Sequence, residues 1–150
     1  MANDFLNSLK AESNQWENTR NEIINEIVND FNSWVANGGI EKYLKSHISN
    51  QDKQARQSRI FGEFWAYHAG CSGTHFYIGG WTWKTPEVPE YDYRSHNYRG
   101  IHLIEIQDDV LRQLTRIYIG KLLNMGFTIA DTSSSQNNLG YTETNIIIKW

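Results

Sequence analysis

A chain of 150 residues has the size of one domain and can bury a core without disulfide or metal. Six Trp, eight Tyr and six Phe exclude a disordered polymer. A net charge of −3, with 14 basic residues scattered among 17 acidic ones, leaves no basic stripe for phosphate backbones, so nucleic acid is not the expected partner.

The chain opens as a helix that Asn3 or Asp4 can cap. Phe5, Leu9, Trp16, Ile23, Ile27, Phe31 and Trp34 recur at spacings of one helix face, and Leu6, Ile24, Val28 and Val35 widen the stripe. Its density from Ile23 to Val35 marks core, or equally a face on which a second copy packs to give a homo-oligomer. Asn21, Asn25, Asn29 and Asn32 form a solvated opposite face; Asn is a poor helix former, so packing must hold this helix. Asn37-Gly38-Gly39 stops it. A second short helix carries Ile40, Tyr43, Leu44, His47 and Ile48 on one side. Ser49-Asn50 then caps a third segment from Gln51 to about Phe61, beyond which periodicity does not separate helix from strand.

The stretch from Phe61 to Gly100 is rich in rings: Phe61, Phe64, Trp65, Tyr67, Phe76, Tyr77, Trp81, Trp83, Tyr91, Tyr93 and Tyr98. Within it, THFYIGGWTWKT reads as a hairpin turning at Gly79-Gly80, with Trp81 and Trp83 on one face. Pro86 and Pro89 end regular structure, and Thr85 to Arg99 reads as a long loop of the kind that carries function.

Ile101 to Ile106 reads as a strand, and Asp108 or Asp109 caps a helix running to about Asn124. Gly126 marks its stop, Phe127 to Ala130 a second strand, and the Ser- and Asn-rich Asp131 to Gly140 a turn. Tyr141 to Trp150 is the last strand, with Ile146, Ile148 and Trp150 on one face and Ile147 implying cover on both. The last two strands can pair as a hairpin, with the Ile101 strand beside one of them. The expected fold is therefore α+β: an N-terminal helical layer on a small, mainly antiparallel sheet, with one further helix, in a single domain of residues 1–150.

Two constellations carry possible chemistry. His68, Cys71 and His75 lie within eight residues, and all are zinc-ligand types that a glycine-rich loop could turn inward, with His96, His102 or Asp92 as a fourth ligand. The same three residues allow a Cys–His nucleophile, so the alternative reading is a small metal- or Cys/His-dependent hydrolase with zinc as its cofactor. No phosphate loop, dinucleotide fingerprint or Gly-x-Ser-x-Gly elbow occurs. The second constellation is the set of rings Trp81, Trp83, Tyr91, Tyr93 and Tyr98, which would supply rigid contact area if they face outward. That reading leads: a non-catalytic module that binds a protein partner and needs no cofactor.

Cys71 is the sole cysteine, which excludes an internal disulfide and suits a reducing compartment. MANDFLNSLK has no signal-peptide pattern, and no apolar run approaches the length of a membrane span. Leu122, Leu123, Gly126, Phe127, Ile129, Ile146, Ile148 and Trp150 give the C-terminal third the pattern helix, Gly-aromatic, strand, polar turn, Ile-x-Ile-x-Trp strand. This resembles small phage-encoded virion and accessory proteins. The resemblance implies a virion component or an inhibitor of a host system, located in the host cytoplasm or the virion, and transfers no catalytic residue.

Overall fold

The computed structural model describes residues 2–66, 74–86, 88–92 and 94–150. The fold is α+β. Helix α1 spans Ala2–Ala36, α2 Gly39–His47 and α3 Asn50–Ala55. Strands β1 (Gln57–Ala66), β2 (Thr74–Ile78) and β3 (Trp81–Lys84) follow, then the short β4 (Tyr91–Asp92), β5 (Asn97–Tyr98) and β6 (Ile101–His102). A 3-10 turn at Leu103–Ile106 leads into α4 (Gln107–Asn124), and β7 (Thr128–Gln136) and β8 (Thr142–Lys149) close the chain.

The helices begin and stop for local reasons. Gly38 sits at φ 82°, a conformation that costs glycine little, and lets the chain reverse between α1 and α2. The Ser49 hydroxyl accepts from the Asp52 amide while the Asp52 carboxylate accepts from the Ser49 amide, a reciprocal cap at the start of α3. That helix ends at Ala55, with Arg56 at φ 55°, and β1 starts at Gln57, four residues earlier than the helical segment was expected to end.

The main sheet has the order β3-β2-β1-β8-β7, every neighbouring pair antiparallel. Four expectations need correction here. The segment 85–99 is not one long loop: β4, β5 and β6 form a small sheet. The stretch 101–106 is a two-residue strand and a 3-10 turn, and β1, not this segment, lies beside β8. Asp108 and Asp109 do not cap α4; they sit in its first turn, where their charge complements the helix dipole. Most of the expected turn 131–140 is strand β7, paired with β8 as far as Gln136 and bulged between Ile129 and Asp131.

Alternation along the strands places the core. Ser58, Ile60, Gly62 and Phe64 of β1, Phe76 and Ile78 of β2, Trp81 and Trp83 of β3, and Ile146 and Ile148 of β8 are buried. They meet Ile23, Ile27 and Phe31 of α1, Ile40 and Leu44 of α2, and Val110, Leu111, Leu114, Tyr118 and Leu122 of α4. Ile147 points to the opposite face and is only half-buried, and Trp150 is exposed, so among the described residues the end of β8 is not fully covered on both faces.

Candidate functional site

Four of the five expected contact rings are not at the surface. Trp81 is 3 % exposed, Trp83 6 %, Tyr91 9 % and Tyr98 7 %; Tyr93 lies outside the described residues. The cause is the position of β3 beneath α1. Trp81 packs edge-on against Phe31, with centroids 5.0 Å apart, and its indole N–H donates to Asp30 at 3.1 Å. Trp83 lies between Phe76 and Tyr98, at 6.0 and 6.2 Å, so the small sheet closes over the large one. Ring burial of this kind serves core packing and leaves no contact area for a partner.

The expected self-association face is also internal. Ile23, Ile27 and Phe31 have no exposed surface, since α4, α2 and β3 occupy that side of α1. The Asn21, Asn25, Asn29 and Asn32 face is exposed, as anticipated.

Of the histidine–thiol trio, His68 and Cys71 lie outside the described residues. His75 is half-buried on β2, stacked on Trp65 at 4.7 Å. Burial, then the ammonium of Lys84 opposite it, holds its imidazole below the ordinary pKa. Of the suggested fourth ligands, His96 is buried within 3.5 Å of the Tyr91 hydroxyl. Asp92 accepts from the Arg94 amide and the Ser95 hydroxyl, which lowers its carboxyl pKa. Among the described residues no cluster of three His, Cys, Asp or Glu is placed to hold a metal ion.

A cleft of about 500 Å³ opens between α4 and the β7–β8 hairpin, lined by Asp108, Arg112, Thr115, Thr132, Ser134 and Gln136 among others. The Thr142 hydroxyl donates to Asp108, and Arg112 pairs with Asp109 at 3.2 Å. Its lining offers hydroxyls and the Asp108 carboxylate, and no imidazole or thiol.

The feature that sequence reading passed over is the first half of α1. Sixteen consecutive residues, 3–18, are exposed, about 24 Å of helix. Phe5 is 68 % exposed, Leu6 48 %, Leu9 44 % and Trp16 45 %. Phe5, Leu9 and Trp16 continue the stripe that becomes core at Ile23, so one apolar face is covered in its second half and bare in its first. Where the bare part ends, Arg20 pairs with Asp109 of α4, and Arg99 pairs with Glu22 at 2.7 Å. A groove of about 430 Å³ lined by Trp16, Thr19, Arg99, Gly100 and Ile101, among others, runs along the same junction. The missed signal was the thinning of the stripe: Glu12 and Thr19 occupy positions where the second half carries Ile and Phe.

No helix of the described residues is long and apolar enough to cross a membrane. No family model, curated protein or solved structure matches the chain.

Proposed function

We propose that this chain is a non-catalytic protein-binding module that docks through the first half of α1. One observation carries the reading: Phe5, Leu6, Leu9 and Trp16 stand exposed on a helical arm whose own chain offers them little cover. A surface helix is normally held by packing of its apolar face, because isolated helices of this length are marginal in water. Burying side chains of this size is worth about 1.5–3 kcal/mol each, enough to order the arm and leave net affinity. Such a face suits a hydrophobic groove or a second helix on the partner, read through anchors three, four and seven residues apart. The resemblance of the C-terminal third to phage-encoded proteins favours a virion component or an inhibitor of a host system as the narrower role.

The test is affinity capture from lysate of the source cells with the full chain and with its Leu9→Lys/Trp16→Lys variant. A species retained by the first and lost by the second, at unchanged thermal stability, supports the reading. Identical sets retained by both would remove the arm as the contact surface.

A further inference from the structure

At the C-terminal end of α4 an apolar groove opens to solvent. One lobe, of about 340 Å³, is lined by Ile48, Met125, Gly126, Phe127 and Trp150, with Lys53 beside them. A second lobe, of about 320 Å³, shares Ile48, Lys53, Met125 and Phe127 and reaches Leu44 and Lys45 of α2. Met125 is 38 % exposed and Trp150 41 %, and a Cβ on Gly126 would meet nothing within 4 Å. The groove therefore stands open among the described residues.

Its charge is one-sided. Glu41, the carboxylate in its lining, is engaged by Lys121 at 3.1 Å. Lys45 and Lys53 form no ion pair among the described residues. The bare half of α1 has the opposite character. Phe5, Leu6 and Leu9 lie within about one helical turn of each other, and residues 3–18 hold Asp4, Glu12 and Glu17 against Lys10.

These two surfaces of one chain do not meet. Arg20 pairs with Asp109, and the Phe31 and Trp34 rings lie 6.3 and 6.4 Å from that of Tyr118, so α1 and α4 run in the same direction. The arm precedes Arg20 and the groove follows Asn124, at opposite ends of the helix pair. Measured along the two helices, Leu9 stands about 40 Å from Met125 of its own chain.

We propose that the groove receives the α1 arm of a second copy, with Phe5 and Leu9 as apolar anchors and the carboxylates of the arm facing Lys45 and Lys53. The inference rests on the arm being a docking element and names its partner. A helix laid in an apolar groove through anchors three or four residues apart is a recurring mode of recognition. Opposite charge beside the groove fixes orientation and speeds encounter. Arm and groove are different patches, so the contact is heterologous: a copy that gives its arm keeps its groove, and assembly continues as a chain or closes as a ring.

Sedimentation velocity of the full chain over a concentration series tests this. The average mass should climb with concentration to a dimer and beyond. Leu9→Lys/Trp16→Lys spoils the arm and leaves the groove, whereas Lys45→Glu/Lys53→Glu spoils the groove and leaves the arm; each should weaken association about tenfold or more. An equimolar mixture of the two variants should form a dimer and stop there, because one sound arm and one sound groove make a single contact. That recovery also shows that both variants are folded. A parent still monomeric at about 1 mM, a Lys45→Glu/Lys53→Glu variant that associates like the parent, or a mixture no more associated than its components would each overturn the proposal. Lysate capture separates its failure from that of the docking role. A monomeric parent that retains a species lost by the arm variant keeps the docking role with a different partner, and a monomeric parent whose capture matches that of the arm variant removes both.

Discussion

The Tyr118 hydroxyl donates to the Gly79 carbonyl at 3.2 Å, so α4 grips the turn of the β2–β3 hairpin. A Cβ on Gly79 would collide with that same Tyr118 oxygen, and Gly79 has φ +45°. The hairpin turn and the helix are thus fitted to a position without a side chain. Tyr118→Phe should cost about 1 kcal/mol, the usual value of one hydrogen bond. Gly79→Ala combines a steric clash with an unfavourable φ and should cost about 3 kcal/mol. Urea unfolding measures both, and the reverse order would show that the turn is not held this way.

The stripe of α1 should divide sharply in its sensitivity. Ile27→Ala, in the covered half, should cost about 3 kcal/mol through lost burial and a residual cavity. Leu9→Ala, on the bare half, should stay within about 0.5 kcal/mol. Equal losses at the two sites would mean that the arm is packed in solution.

Glu63 gives a pH dependence of known sign. Its folded-state pKa is raised by burial and by Glu143, so its contribution to stability is full below the ordinary glutamate value and is lost as pH rises through the raised one. The groups facing it are Glu143 on β8 and Tyr77 on β2, with Arg59 along its own strand. Glu63→Gln should therefore melt higher than the parent at neutral pH, with the gap closing in acid. A gap that widens on acidification would contradict the arrangement.

Asp109 joins two helices through Arg20 and also meets Arg112. Asp109→Asn should cost about 1 kcal/mol or less, because both partners remain partly in water. Its clearer signature is faster amide exchange around Thr19–Ile23 at low salt, fading as added salt screens the parent's ion pair as well. Unchanged exchange would show that the junction is held by apolar contacts alone.

How far the sequence could be read follows from where each pattern meets water. The α1 and α2 stripes and the Gly79-Gly80 hairpin were legible because apolar periodicity and turn chemistry agree there. The second part of strand β7 was not: Asp131–Gln136 lies at a sheet edge with its side chains exposed, so no buried partner marks an alternation of Ser and Thr. The polar start of β1 hid its boundary in the same way. Trp81 and Trp83 were placed on a common face correctly, yet parity does not say which face looks inward; the overlying α1 and the small sheet decide that. Likewise the α1 periodicity runs on past the point where the body ends, so the bare arm and the core half read as one element.

Because α1 is one uninterrupted helix whose buried residues begin at Thr19, among those described, it has the mechanics of a lever with its fulcrum near Arg20 and Glu22. A tilt of about ten degrees there would swing the N-terminal tip by about 4 Å, given about 24 Å of rigid rod. Force or occupancy at the far end would accordingly be felt at Asp109 and Arg99, coupling whatever grips the tip to α4 and to the small sheet.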